Sequence, residues 1–590
     1  MKNQKKIGHK LFDWSILGFV LAGLILINVI ASFIFARWDL TEDSRYSITE
    51  SSKKFLSSDD NFSDRVLIKV YLDGDLPAEL KRLRNTIEER LSELKQYAGK
   101  RIEYEFIDPS KGDESDVKTL QNDLYNKGKG ITPTDITVEE INQTKNQILW
   151  PGAVITYQGE TKGYVQFFSQ RRINSKDDLS GLVQGAINDL EYNLVNGIRK
   201  ATSGARPVVA FLQGQGEFSE PRTLVLRNLL KDNYRIVNIT INDSIEALKD
   251  VDGLIIAGPT RPFSEKDKYV IDQFLMNGGR LMYFVDPIEV NEDTLFYTGK
   301  TQTTSRALNI SDQLFRYGVR LNEDLVVDER CGPIYIPNHP RKFMPWYFFP
   351  LAEGTSHPIS KNIDPVKLSY CSTLDFVGDD TLDKSVLLKS SPSSKALRMP
   401  VINYSMADLE PRFTENPDDP NNELNLSVLL EGKFESLYRN RLVDQFAKDP
   451  ASKFKEESVK NSKILVVGDA DLITNHYDSI FSNAEGKYIF RPIQFNEFQF
   501  DLMDPNVRQN KPPLFVYGTA GFLLNAIDYT MGDNSMIDIR AKTIKLRPLN
   551  KEKIKSEAHF WQFINTVIPL LIIIILGVIL IVVRKRRYGK

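Results

Sequence analysis

Three aspartates stand where strands end. Asp469 and Asp471 follow the apolar run Ile464–Gly468, and Asp286 closes the run Arg280–Asp286. Carboxylates gathered at the carboxyl edge of one sheet could ligate a hard cation, and that edge is where α/β sheets place ligands. The same residues could instead cap helices and bond loop N–H groups. A second candidate is Gly214-Gln215-Gly216-Glu217, between an apolar run and a helical pattern. Its backbone N–H groups could meet an anion at a helix N-terminus. The third glycine of a dinucleotide fingerprint and the lysine of a Walker loop are missing, and Glu217 would repel an anion, which points to a tight turn. ATP hydrolysis is therefore excluded as the chain's own activity. The candidate ligand-binding residues are Gly214, Gly216, Glu217, Asp286, Asp469 and Asp471.

The densest aromatic cluster is Phe343-Met344-Pro345-Trp346-Tyr347-Phe348-Phe349-Pro350. Trp346, Tyr347 and Phe348 could stack on a glycan or anchor a protein partner, or fill a core. The two cysteines, Cys331 and Cys371, could pair, which would be worth roughly 4 kcal/mol by chain entropy, or remain isolated buried thiols. Without a CxxC motif, and with five scattered histidines, a zinc site is not expected. No metal and no cofactor are expected.

The elements that must position these residues are of α/β type. Val66–Leu72 alternates as a strand, Leu80, Leu83, Ile87, Leu91 and Leu94 recur at helical spacing, and Arg101–Asp108 is a second strand. Residues 110–150 read as loops or short elements, Ala153–Tyr157 with Gly163–Phe168 as a hairpin, and Leu182–Ile198 as one helix. After Gly204-Ala205-Arg206-Pro207, the continuous run Val208–Leu212 reads as a strand buried on both faces. Further strands are expected at Arg235–Ile239, Gly253–Ala257 and Arg280–Asp286, with helices at Pro221–Lys231 and Glu265–Met276. Such alternation implies a parallel sheet covered on both faces. Ser462–Asp469 and Leu514–Gly518 have the same character and would return to that sheet.

Two apolar runs bracket this region. Trp14–Phe35 is too long for a cleaved signal peptide and lacks a small-x-small site; Phe563–Val583 carries Pro569, tolerable within a span. Lys2, Lys5, Lys6 and Lys10 precede the first, and Arg584, Lys585, Arg586 and Arg587 follow the second. The positive-inside bias puts both ends in the cytoplasm, with residues 37–560 on the outer face. The expected organisation is a tail (1–13), a span (14–36), a first α/β domain (37–203), a second domain in two parts (204–300 and 461–548) around an insertion (301–460), a linker (549–562), a span (563–583) and a tail (584–590). Composition agrees with a large folded region. Of 590 residues 41% are hydrophobic, and 76 basic side chains against 78 acidic ones leave a net charge of −2. That balance gives nucleic acid no support, and a mean hydropathy of −0.30 excludes a polytopic transporter.

Several segments resemble the gliding-motility GldG family, membrane-anchored auxiliary subunits of a bacterial ABC transporter. They are Arg37–Asp43 with Arg45-Tyr46-Ser47, Leu190-Glu191-Tyr192, Phe211–Glu217, Gly278–Leu281 through Asp286-Pro287, Ser356-His357-Pro358-Ile359, Leu430–Phe434, Gly468–Asp471, Asn525–Asp528 and Ile539–Lys542. The chain departs from the pattern at Gln215, where relatives often carry histidine. The resemblance implies a Rossmann-like domain related to the amidotransferase-like fold, with an ABC permease and a separate cytoplasmic ATPase as partners. The expected fold is tandem Rossmann-like/amidotransferase-like α/β domains flanked by the two single transmembrane helices, and the chain could form a homo-oligomer within the complex. An amidotransferase would need a nucleophilic cysteine at a strand-to-helix turn with a histidine later in the chain. No cysteine precedes Cys331, so no catalysis is expected. The expected function is that of a non-enzymatic, membrane-anchored periplasmic subunit; the alternative is a carbohydrate- or peptide-binding receptor.

Overall fold

The computed structural model describes residues 47–59, 61–125, 130–140, 143–168, 172–173, 176–242, 244–335, 343–378, 381–403, 422–440, 453–482, 487–492, 517–532, 536–540 and 551–588, with isolated positions between 18 and 26. The tail over 1–13, nearly all of the span expected over 14–36, and positions 514–516 of the last expected strand lie outside the described residues.

The first described helix, α1 (Glu50–Ser57), starts where Thr49 Oγ1 accepts the Ser52 N–H at 3.3 Å. β1 (Val66–Val70) turns Val66, Ile68 and Val70 fully inward. Across them lies α2 (Ala78–Ala98), whose five leucine and isoleucine positions read from the sequence are all buried. β2 (Ile102–Phe106) pairs parallel with β1, β3 (Gly152–Tyr157) pairs antiparallel with β1, and β4 (Glu160–Gln166) closes a hairpin on β3. The sheet order is β2-β1-β3-β4. Residues 110–150 are more regular than expected, with a helix over Glu114–Tyr125 and a hairpin of Thr134–Glu140 with Gln143–Leu149. Only Leu124 of that helix is buried, so no apolar stripe announces it. The helix expected over 182–198 is two, Lys176–Asn188 and α3 (Leu190–Thr202), parted at Asp189. α3 crosses the sheet at Gly197, where a Cβ would lie 2.5 Å from Val165 and 2.8 Å from Ile155.

Beyond the Gly204–Pro207 connection run β5 (Val208–Leu212), α4 (Leu224–Leu230), β6 (Arg235–Ile239), β7 (Gly253–Ala257), α5 (Glu265–Met276), β8 (Arg280–Phe284) and α6 (Glu292–Thr298). They are followed by β9 (Cys331–Tyr335), β10 (Phe343–Gly354), β11 (Asp383–Lys389), β12 (Asn425–Gly432) and β13 (Ser462–Val467). These strands form one sheet in the order β9-β10-β11-β12-β13-β8-β7-β5-β6. From β13 to β6 neighbours run parallel; from β9 to β13 they run antiparallel. Residues 301–460 therefore supply the antiparallel half of the same sheet.

Alternation along the strands divides the core. Val209, Phe211, Ile255, Met282, Phe284 and Leu465 face α4 and α7 (Thr519–Met531), while Ala210, Leu212, Leu254, Ile256, Leu281 and Val466 face α5. Burial on both faces is why these strands read as unbroken apolar runs. After α7, α8 (Ile537–Arg540) returns to the first sheet, where Met536 and Ile539 enter its core. There Glu191 of α3 accepts the Thr49 N–H at 2.6 Å and the Ser52 hydroxyl at 2.7 Å. At the next residue of α3, Tyr192, Arg540 donates to the hydroxyl at 3.4 Å, and it donates also to Asp528 at 2.5 Å and Asn525 at 2.9 Å. The motif segments around residues 190, 525 and 540 are thus explained by one buried polar junction.

The final helix, α9 (Lys551–Tyr588), forms a unit of its own. Within it the candidate span Phe560–Val583 contains an 18-residue window of mean hydropathy 3.4, none of it buried in protein. At 1.5 Å per residue it spans about 36 Å, enough for a hydrocarbon core of roughly 30 Å.

Candidate functional site at the carboxyl edge of the large sheet

β8 and β13 are parallel neighbours, so the residues two places beyond them, Asp286 and Asp469, come to the same edge. Asp286 Oδ1 accepts the Ala470 N–H at 2.7 Å and Oδ2 lies 3.5 Å from Arg306. Asp469 is fully buried; its Oδ2 accepts the Ser369 N–H at 2.6 Å, and its Oδ1 has no hydrogen-bond partner. Asp471 opens a short 3-10 turn and keeps a two-fifths exposed side chain, 3.7 Å from Arg222. Lys367, Glu292 and Tyr370 complete the cluster, the tyrosine hydroxyl bonding Glu292.

The electrostatics follow from this crowding. Burial, then the charge of Asp471, pushes the Asp286 carboxyl up to about 7. Burial, then Asp286, drives Asp469 well above the usual carboxylate range, and burial draws the Lys367 amine down. The carboxyls titrate as a set. Among the described residues no three His, Cys, Asp or Glu side chains converge closely enough to hold a metal ion. What the edge can do is hold and exchange protons and bind groups of mixed charge.

For an acid whose folded value lies above its unfolded value near 3.8, the native state retains a proton that the unfolded chain has released. Stability is then lost as pH climbs from about 4 to about 7, by at most about 1.4 kcal/mol per pH unit per proton, and levels off above. Asp286→Asn flattens that slope in thermal melts taken across the range. A second expected result concerns Gly468, where a Cβ would lie 2.2 Å from the Ser372 carbonyl oxygen. Backbone cannot swing aside as a side chain can, and Ser372 N–H is itself bonded to Gly468 O at 2.7 Å. Gly468→Ala should cost about 1–3 kcal/mol, measured by chemical denaturation.

The glycine loop does not join this cluster. In the parallel half the chain reverses its direction of strand addition between β5 and β7, the crevice where such sheets take ligands. The loop after β5 fills that crevice with its own carboxylate: Glu217 Oε2 accepts the Gln215 N–H at 2.8 Å, and the N–H groups of Gly214 and Glu217 bond the same side chain. Gly214 and Gly216 take φ of 134° and 77° to allow it, and the N–H groups of Thr260 and Arg261 close on Gln215 O at 2.9 and 2.8 Å. The tight-turn reading of Gly214, Gly216 and Glu217 is the one this geometry favours over anion binding, because the N–H groups of Gly214, Gln215 and Glu217 are occupied internally.

Of the two readings of the aromatic cluster, the structure favours the core one. Trp346 is fully buried and Phe348 nearly so, packed with Phe349 and Tyr370 under β10; only Tyr347 is half-buried. Cys331 and Cys371 are both free thiols, in place of the possible disulfide. Burial pushes the Cys331 thiol up to about 12 and Cys371 well above the ordinary range, so neither is a ready nucleophile. Arg222, Arg306, Lys367 and Glu292 are not legible in the sequence, since each sits in a loop, a short helix or, for Lys367, a two-residue strand brought in by the strand order.

Comparison with known proteins places the chain. A family model described as ABC-type uncharacterized transport system matches residues 206–501, half of the chain. The chain belongs to this family. It is accordingly an auxiliary component associated with an ABC-type transport system, and α9 marks this auxiliary component as membrane-associated. A second model, a domain of unknown function, matches residues 42–156. An uncharacterized protein of Borreliella burgdorferi is 22% identical over 493 residues, covering 82% of this chain and 87% of its own. Among solved structures, the N-terminal domain of IFT52 (TM-score 0.28, 16% identity, 45% of this chain and 88% of its own) is similar only weakly. The exo-β-1,4-mannosidase Op5Man5 of Opitutaceae bacterium strain TAV5 (TM-score 0.19, 12% identity, 37% of this chain and 31% of its own) is no nearer.

Proposed function

We propose that this chain is a non-enzymatic subunit anchored in the bacterial inner membrane by two spans. Both ends are cytoplasmic, the sheets lie in the periplasm, and the chain acts with an ABC permease and a separate ATPase, in gliding motility as in the family it resembles. The observation that carries the reading is the buried junction on α3. It receives both the segment that follows the first expected span and the segment that precedes α9, so movement of the permease could reach both sheets through one helix. The order β6-β5-β7-β8-β13 supports a Rossmann-like, amidotransferase-like second domain, and the glycine loop closed on Glu217, with one buried and one half-buried thiol, supports a role without catalysis. The receptor alternative keeps only the Asp469 edge, since its aromatic platform is buried.

Affinity purification of the full chain from detergent-solubilised membranes should recover a polytopic permease and an ATPase in fixed proportion. Recovery of neither from crosslinked membranes would sink the proposal. A cysteine placed in the exposed loop at Lys249 should react with an impermeant thiol reagent added to intact spheroplasts; protection until lysis would reverse the topology.

A further inference from the structure

A cleft of about 970 Å³ opens along the seam between the two sheets' domains, around the Gly204–Pro207 connection. Its size is at the upper end of sites that take a small ligand, and such sites favour domain junctions. One part of its wall is cationic: Lys54, Arg199, Lys200 and Arg206 stand against a single carboxylate, Asp232. Lys200 is paired with that carboxylate at 2.8 Å. Arg206 donates to the Lys231 carbonyl at 2.9 Å, and Lys54 forms no ion pair with a described residue. The C-termini of α1, α3 and α7 reach the same space and each brings roughly half a negative charge, which offsets about half of the three-unit excess. The wall stays positive. The other part is apolar, made by Phe55, Tyr529, Met531 and Ile537.

We propose that this cleft binds an amphiphile with a phosphate head. The head would sit on Lys54 and Arg206 with Arg199 behind them, and the apolar body would lie along Tyr529 and the exposed edges of Phe55 and Met531. A bare phosphate would leave most of the volume and all of the apolar wall unused, whereas a neutral lipid would leave the cationic side without a counter-charge. The wall also draws on α1 and α8, the folded helices nearest in sequence to the expected spans, which favours a ligand drawn from the membrane. Because the cleft joins residues before and after the Gly204–Pro207 connection, an occupant would fix one domain against the other. The inference stands apart from the permease partnership and from the carboxylate edge.

The test uses the full chain in a non-ionic detergent, titrated by calorimetry with short-chain phosphatidylglycerol, short-chain phosphatidylcholine and glycerol phosphate. Phosphatidylglycerol should bind at least about ten-fold more tightly than the other two, and Lys54→Glu with Arg206→Glu should weaken it by at least about ten-fold. Both residues are exposed, so the double variant should keep the thermal melt of the parent. Lys118→Glu, outside the cleft lining, should leave binding unchanged and so separates the cleft from a general effect of the chain's net charge. Equal binding of the two lipids, or binding indifferent to the double reversal, overturns the proposal. Glycerol phosphate binding as tightly as the lipid overturns the amphiphile and leaves a soluble-phosphate site.

Discussion

Arg540→Ala should destabilise the folded region by about 3–5 kcal/mol, the usual cost of stripping one partner from a buried ion pair. Asp528 is fully buried and Arg540 nearly so, the pair meeting at 2.5 Å. Tyr234 donates to the other oxygen of Asp528 at 2.7 Å, which alone cannot balance a full charge. Removing the guanidinium also releases Asn525 and the Tyr192 hydroxyl, so α3, α7 and α8 lose their common fastening at once. The check is chemical denaturation followed by far-UV circular dichroism. Asp528→Ala added to Arg540→Ala should recover part of the loss, because the stranded charge is gone. A single variant that melts like the parent would show that the junction holds nothing.

Trp346→Ala should cost a comparable 3–5 kcal/mol. The indole is wholly enclosed, its ring centroid 5.6 Å from that of Phe348, and its Nε1 donates to the Tyr370 hydroxyl at 3.3 Å. Tyr370 is held at φ 52°, a left-handed conformation uncommon for a bulky residue, and its N–H bonds Phe348 O at 2.9 Å. Truncating the tryptophan leaves a cavity beside this constrained residue. Tyr347→Ala, on the half-buried neighbour, should cost markedly less. If instead Trp346→Ala left the unfolding curve unchanged while abolishing binding of a glycan or protein, the core assignment would be wrong.

The parts of the fold most legible in the sequence are those with chemistry at their boundaries. α5 is legible in the sequence from the Asn277-Gly278-Gly279 stop at its end, and the structure adds a reciprocal cap between Ser264 and Asp267 at its start. β5, β7, β8 and β13 are legible because burial on both faces makes their runs almost wholly apolar, polar residues such as Arg280, Ser462 and Lys463 standing only at the starts. The antiparallel half was not. β10 carries Pro345 and Pro350, residues that a strand pattern admits only near edges, and β11 spends its first residues on Asp383, Lys384 and Ser385. At the site, strand ends located Asp286 and Asp469, but no spacing connects them with Arg222, Arg306 or Lys367. The glycine loop shows the opposite limit: its residues are visible in the sequence, but nothing in their spacing tells that Glu217, two positions from Gln215, accepts the loop's own N–H groups.

The junction on α3 has a mechanical side. Thr49 and Ser52 fasten to Glu191, and Arg540 fastens to Tyr192, the next residue of the same helix. Tension entering at one end of the folded region and leaving at the other is thus carried across a single helical turn. Both sheets hang outside that load path. Pulling on the ends would shear a compact knot of charged hydrogen bonds before it peeled any strand from its neighbour, so the folded mass can be hauled without being unzipped.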